Sequence, residues 1–181
     1  ESELFEKSWK EVIDAHSALR TGFFNNNFSI PVQCIFKDVK LPIRWLNFSN
    51  LNDQDITLIE YQQNDKLQGF DFENAPLMRV SMIKLTESKY RMIWTSHHIL
   101  FDGWSVPIMM EQFLTSYQSF KINKSPSIQI KDNYEDYVLF LDSQNKEDEQ
   151  NFWRKYLKNL EVGTLLPFSN SGFIRNKGLG D

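Results

Sequence analysis

Ser96-His97-His98-Ile99-Leu100-Phe101-Asp102-Gly103-Trp104-Ser105 is the stretch whose reading decides the fold. Before it, residues 90–96 carry bulky and β-branched side chains after the turn-like Glu87-Ser88-Lys89, the composition of a strand. After it, residues 106–120 read as a helix. Successive strand side chains point to opposite faces. If the strand runs to His98, then Met92, Trp94, Ser96 and His98 share one face, and Ile93, Thr95 and His97 the other. Only one of the two histidines then faces a given cavity. Asp102 follows His98 by four residues, and Gly103 lets the backbone approach a ligand closely. A histidine at a strand end, backed by a carboxylate and a glycine turn, has the parts for proton handling or charge stabilisation in a cleft.

Two blander readings compete. A lone buried histidine is most often a satisfied core residue. Two adjacent histidines and an aspartate also suggest a metal, since His98 and Asp102 would share a face of a helix. No metal is expected: Gly103 argues against a helix here, no third ligand lies nearby in sequence, and the only cysteine is Cys34. Cys34 has no neighbour in sequence that would lower its pKa and is read as packing.

Length and composition set the bounds. A chain of 181 residues is of single-domain length and can bury one good core. Its apolar content of 41% and aromatic content of 14% exclude a disordered chain. A net charge of −4 offers no basic stripe for nucleic acid and no polybasic patch for a membrane surface. One cysteine excludes an internal disulfide framework and a multi-cysteine zinc site, which suits a reducing cytoplasm. No apolar run is long enough to span a bilayer and no secretory signal opens the chain. Glu1 in place of Met suggests a piece of a longer protein.

Outward from the central stretch, periodicity assigns the rest. Leu4, Phe5, Trp9, Val12, Ile13 and His16 fall at helical spacing, so an amphipathic helix is expected over 3–18. Gly22 is the expected breaker after it, and Arg20 sits where a helix C-terminus favours a cation. Alternation predicts strands over 29–37 and 43–48. A polar surface helix is expected over 53–67. Residues 77–85 and 90–98 form an antiparallel hairpin closed by Thr86-Glu87-Ser88-Lys89. Ser105 is the expected N-cap and Pro107 a first-turn residue of the next helix, whose stripe is Met109, Met110, Phe113, Leu114 and Tyr117. Residues 121–133 are a polar connector. Tyr134, Tyr137, Val138 and Leu141 mark one further helix, and Phe152, Trp153, Tyr156, Leu157 and Leu160 another. Residues 161–181, with four glycines and a proline, read as a tail or crossover.

Three motifs in order carry a family resemblance. His97-His98-Ile99-Leu100-Phe101-Asp102-Gly103 resembles the His-His-x-x-x-Asp-Gly signature of the condensation domains of nonribosomal peptide synthetases, shared with acyltransferases resembling chloramphenicol acetyltransferase. Ala15-His16-Ser17-Ala18-Leu19-Arg20-Thr21-Gly22-Phe23 is similar to the family's Arg-His-Glu-x-Leu-Arg-Thr-x-Phe motif. Ala15 and Ser17 stand where that pattern has Arg and Glu, so any role of those two charges is lost or moved. Tyr134-Glu135-Asp136-Tyr137, with Phe152-Trp153 after it, resembles the family's Tyr-x-Asp-Tyr segment and the helix that follows. Phe70-Asp71-Phe72-Glu73-Asn74-Ala75-Pro76-Leu77 is similar to a Phe-Asp-x-x-x-x-Pro-Leu passage. The resemblance spans nearly the whole chain, which matches only the first half of such a domain.

The resemblance implies an α/β fold, a two-layer mixed sheet with helices on one face. This would be the N-terminal lobe (1–160) of a chloramphenicol-acetyltransferase-like fold, with 161–181 leading towards a missing C-terminal lobe. It implies amide-bond formation between a donor acyl or peptidyl thioester and an acceptor aminoacyl thioester. Donor and acceptor peptidyl carrier domains would present both on 4'-phosphopantetheine, beside an adenylation domain, with no cofactor attached to this chain. His98 would act on the amine and the Gly103 N–H would face the oxyanion. His97 and Asp102 would support the loop, Asp102 through an ion pair with Arg20. Trp104 and Ser105 would touch substrate. Two other readings remain: an acyltransferase of the same fold using acyl-CoA, and a non-catalytic carrier-binding lobe.

Overall fold

The computed structural model describes residues 1–26, 28–128 and 134–160. The chain divides into two compact units, Glu1–Asp136 and Tyr137–Asp181. The first holds most of the structure. Helix α1 (Ser2–Ala15) buries Phe5, Trp9, Val12 and Ile13 of the predicted stripe and also Ser8, while Leu4 and His16 are only half-buried. It stops short of residue 18. His16 is extended (φ −112°, ψ 111°), and Ser17–Arg20 form a 3₁₀ turn. Strand β1 (Thr21–Phe24) follows and pairs antiparallel with β2 (Val32–Ile35). Gly22 is therefore not a helix breaker. It lies inside β1, where a Cβ would stand 2.8 Å from the Phe36 ring and 3.0 Å from the Glu73 carbonyl oxygen. The position demands a residue without a side chain because two other segments close on it.

The central sheet has the order β3-β4-β5, with β3 at Ile43–Asn47, β4 at Met78–Lys84 and β5 at Tyr90–Ser96. Helix α2 (Gln54–Leu67) carries the chain from β3 to β4, the kind of crossover a parallel pair requires, and β3 and β4 are indeed parallel. Strands β4 and β5 form the expected antiparallel hairpin, with Val80 opposite Trp94 and Met82 opposite Met92. The period of two sorts these strands onto two faces. Met78, Val80, Met82, Met92 and Trp94 join α1 and helix α3 (Ser105–Lys121) in the main core, with Met109 and Phe113 of α3 buried against Phe5 and Trp9. Phe5–Phe113, Trp9–Phe113 and Trp9–Trp94 ring contacts at 4.9–5.2 Å fill that layer. Ile83, Leu85 and Ile93 meet Leu58 and Tyr61 of α2 on the other side. The mixed α/β class holds, while α2 covers the face opposite α1 and α3, so helices flank the sheet on both sides rather than one. The reason is on α2 itself: Leu58 and Asp65 are buried on a helix whose composition suggests only a surface role.

Central β4 places two polar residues on the α2 face, and both find partners. Ser81 meets the Tyr61 hydroxyl at 2.8 Å. Arg79 donates through Nε to Asp65 Oδ1 at 2.7 Å, through one terminal nitrogen to the Gly69 carbonyl at 2.7 Å, and through the other to the Asp65 carbonyl. Its guanidinium also lies over the Phe70 ring, 4.4 Å from the centroid. Thr95 of β5 completes the cluster, donating to Asp65 Oδ2 at 2.5 Å.

Of the remaining elements, α4 spans Tyr134–Asp142. Helix α5 (Lys146–Tyr156) is capped by Asn145, whose side chain accepts from the Glu147 and Asp148 N–H groups. Its Phe152, Trp153 and Tyr156 rings contact one another. The expected tail over 161–181 lies outside the described residues.

Candidate functional site

The loop between β5 and α3 is built from two turns. Strand β5 ends at Ser96 rather than His98, so the two histidines are not sorted by strand alternation alone. His97 still continues the ladder, its N–H donating to the Leu77 carbonyl at 2.9 Å. Its own carbonyl accepts from the Leu100 N–H at 3.2 Å, which closes the first turn. His97 is half-buried, with its ring edge-on to Phe72 at 4.7 Å and 71°. The Ile99 N–H donates to His97 Nδ1 at 3.1 Å. A nitrogen that accepts carries no proton, so this contact requires the neutral ring with its hydrogen on Nε2. His98, at the head of the same turn, is exposed, and its side chain makes no hydrogen bond among the described residues. Leu100 is buried, and Phe101 packs at 5.8 Å on Trp94, so the loop is nailed to the core just beyond His98.

The second turn belongs to Asp102. Its Oδ1 accepts from the N–H groups of Trp104 and Ser105 at 3.1 and 3.2 Å and from the Ser105 hydroxyl at 3.1 Å. This is helix capping by a side chain two and three residues upstream, with a negative charge at the positive end of α3. The N-cap residue Trp104 has no side-chain cap bond of its own, Asp102 takes the first free N–H groups in its place, and the expected cap Ser105 is the first helical residue. Gly103 is exposed, an added Cβ would meet nothing within 4 Å, and its N–H has no partner among the described residues. Trp104 is 85% exposed and Ile99 44%. The loop thus presents a free imidazole and a free backbone N–H amid exposed apolar side chains.

The expected ion pair between Arg20 and Asp102 does not form. Arg20 donates instead to backbone carbonyls, Nε to Ile13 at 3.2 Å and the terminal nitrogens to Phe36 at 2.6 Å and Asp14 at 3.5 Å. The end of α1 and the strand pair β1–β2 leave these carbonyls without partners of their own, and the guanidinium collects them. Asp102 is satisfied within its own loop. The third histidine ties the two core helices: His16 Nε2 lies 2.6 Å from Gln112 Oε1 of α3. Sequence reading did not single out Phe72 as a partner of His97. The Phe-Asp passage that contains it was the available signal.

No group of three His, Cys, Asp or Glu side chains among the described residues could hold a metal ion. None of the described helices is long and apolar enough to cross a membrane. A cavity of about 230 Å³ opens beside Glu111, Gln112, Thr115 and Ser116 of α3, and none of its lining residues belongs to the histidine loop.

Replacing Asp102 with Ala is expected to destabilise the chain by about 0.5–2 kcal/mol, the usual cost of a lost cap. Asp102→Asn keeps the accepting oxygen and is expected to stay within a few tenths of wild type in urea unfolding. An Asn variant as unstable as the Ala variant would instead require the carboxylate charge, and with it a partner such as Arg20.

A family model for the condensation domain matches residues 1–172. Bacitracin synthase 3 of Bacillus licheniformis is 33% identical over 178 residues, which are 96% of this chain and 3% of that protein. A linear gramicidin synthase of Brevibacillus parabrevis is 41% identical over 91% of this chain and 2% of its own length. Among solved structures, a variant of the starter condensation domain of the rhizomide synthetase superposes with a TM-score of 0.78 at 17% identity, over 90% of this chain and 40% of that one. The epimerization domain from the third module of tyrocidine synthetase B gives 0.79 at 20% identity, over 92% of this chain and 39% of that one. The chain therefore spans a few per cent of the curated relatives and about 40% of the solved structures. A condensation and an epimerization domain share this fold, so fold alone does not select a reaction.

Proposed function

The chain belongs to the condensation-domain family, and from that premise we propose that residues 1–160 form the N-terminal lobe of a domain that makes an amide bond between two carrier-bound thioesters. The observation that carries this reading is the exposed His98, held on a turn that His97 and Leu100 pin to the sheet and the core, in a loop whose Gly103 N–H, five residues on, has no partner among the described residues. In this reading residues 161–181 lead on towards a C-terminal lobe that closes a tunnel over the loop. The partners are a donor and an acceptor peptidyl carrier domain, each bringing its substrate on 4'-phosphopantetheine, with an adenylation domain alongside. The setting is the cytoplasm, which a chain with one cysteine suits.

The chemistry asks little of the protein, because a thioester is already activated. The acceptor's amine nitrogen attacks the donor carbonyl, and the oxygen gains negative charge. The C–S bond then breaks and returns a thiol to the donor's arm. Neutral His98 accepts the amine's proton or hydrogen-bonds the amine into line. The Gly103 N–H stabilises the oxyanion. Trp104 and Ser105 lie beside the reacting groups and contact substrate. His97 and Asp102 fix the two turns, and Arg20 braces the strand pair before them. Holding the two tethered reactants in line contributes up to about 7–11 kcal/mol in well-placed cases. That contribution needs the facing lobe to bury the arms and exclude water.

The test offers the complete protein one acyl group in two forms, as a carrier thioester and as a CoA thioester, with an aminoacyl-loaded acceptor carrier. Amide formation from the carrier-bound donor alone supports the proposal. Equal or faster use of the CoA thioester makes the domain an acyl-CoA-dependent acyltransferase. Carrier binding without turnover makes it a binding lobe.

A further inference from the structure

We propose that Phe72 is a positioning residue for the amide-forming site, acting on His98 through His97; the inference rests on the function proposed above. Phe72 lies on the connection from α2 to β4, far from the histidines in sequence, yet its ring meets the His97 ring edge-on at 4.7 Å. The Ile99 N–H also donates to Nδ1 of that imidazole. The two contacts clamp one rotamer and one tautomer. If the ring rotated or placed its proton on Nδ1, the Ile99 N–H would lose its acceptor and the turn that carries His98 would lose a closing bond.

The segment bearing Phe72 is built to hold still. Asp71 accepts from the Glu73 N–H at 3.1 Å and from the Asn74 side chain at 2.6 Å. The Phe72 carbonyl accepts from the Phe23 N–H of β1 at 2.8 Å, and the two rings meet at 6.5 Å. At the near end, Arg79 fixes the Gly69 carbonyl and covers Phe70. A segment closed by its own Asp71 turn and tied to β1 and to Arg79 delivers one ring to the His97 ring. Phe72 is itself 38% exposed, so its core contribution is modest and does not explain this bracing.

The experiment pairs spectroscopy with kinetics on Phe72→Ala and Phe72→Tyr. Long-range ¹H–¹⁵N spectra of the imidazoles report which nitrogen carries the proton, and the chain has only three histidines to assign. In the wild type and in Phe72→Tyr, His97 is expected as the Nε2–H tautomer. In Phe72→Ala its two nitrogens should give averaged shifts. In the complete protein, Phe72→Ala should lower kcat for amide formation by about 10- to 100-fold, as misplacement of a reacting group does, with KM for both loaded carriers unchanged and Phe72→Tyr restoring the rate. If Phe72→Ala does not fold, Phe72→Leu takes its place, keeping the volume and losing the ring. An unchanged His97 tautomer in the variant without the ring overturns the proposal, as does an unchanged kcat per folded molecule. If the wild-type protein makes no amide, the function proposed above fails, while the spectra still decide whether Phe72 orders His97.

Discussion

His98→Ala in the complete domain is expected to lower the rate of amide formation by on the order of 10²–10⁴-fold, the range for removing a positioned proton-handling group. His97→Ala should cost distinctly less. The two side chains are neighbours with opposite circumstances. His97 is half-buried, takes a hydrogen bond at Nδ1 from Ile99 and packs on Phe72. His98 is exposed and its side chain makes no hydrogen bond among the described residues, which is what a group needs if it is to engage an incoming amine. Removing His97 is expected to loosen the turn; removing His98 deletes the group proposed to act on the amine. Dipeptidyl-carrier formation at matched amounts of folded protein separates the two, and equal losses would contradict this division of labour.

Arg79→Met is expected to lower the free energy of unfolding by about 3–5 kcal/mol, because it strands the buried Asp65 carboxylate. That is a large share of the roughly 5–15 kcal/mol typical of a folded domain. The Asp65 side chain is 2% exposed and that of Arg79 7%, so water cannot replace the lost partner. Replacing both, as Arg79→Met with Asp65→Leu, should recover part of the loss, since a buried pair contributes little beyond what apolar side chains of similar size supply. The pair also sets a pH dependence. Burial pushes the Asp65 carboxyl up, but hydrogen bonds from Arg79 and Thr95 and the charges of Arg79 and Arg44 outweigh it and hold the group below its ordinary value. A depressed carboxyl contributes stability above its unfolded pKa and loses it as pH falls through the folded one. Stability from this group is therefore full above about pH 4 and declines in more acid solution. Urea unfolding of wild type and Arg79→Met, repeated from neutral pH downward, checks both points. A loss under about 1 kcal/mol at neutral pH would mean that the pair behaves as a surface one.

The route from strand to loop to helix around His97 and His98 was legible because two periods, 2 and 3.6, meet there within one short stretch. The helix stripe of Phe5, Trp9, Val12 and Ile13 was legible for the same reason. Strand β1 was not. Its Gly22 looks like a helix terminator in sequence, and only the approach of Phe36 and Glu73 reveals why glycine stands there. The inward face of α2 was hidden because Asp65 reads as a surface charge until Arg79, fourteen positions later, is seen to meet it. The pairing of Arg20 with Asp102 came from the family resemblance, which brings their two motifs together. Apart from the Ser105 hydroxyl on Asp102, their actual partners are backbone groups, which every residue carries and no sequence pattern distinguishes.

The proposed role of the His98 loop, joining two carrier-bound substrates, is open to a direct check. The most direct measurement is the intact mass of an aminoacyl-loaded acceptor carrier after a single turnover with the complete protein and a loaded donor carrier. The acceptor is expected to gain the donor's acyl mass as an amide, while the donor carrier returns as free thiol, and His98→Ala is expected to slow the gain by on the order of 10²–10⁴-fold. An acceptor of unchanged mass beside a donor that is only hydrolysed or epimerised, or transfer by His98→Ala at the wild-type rate, would contradict it.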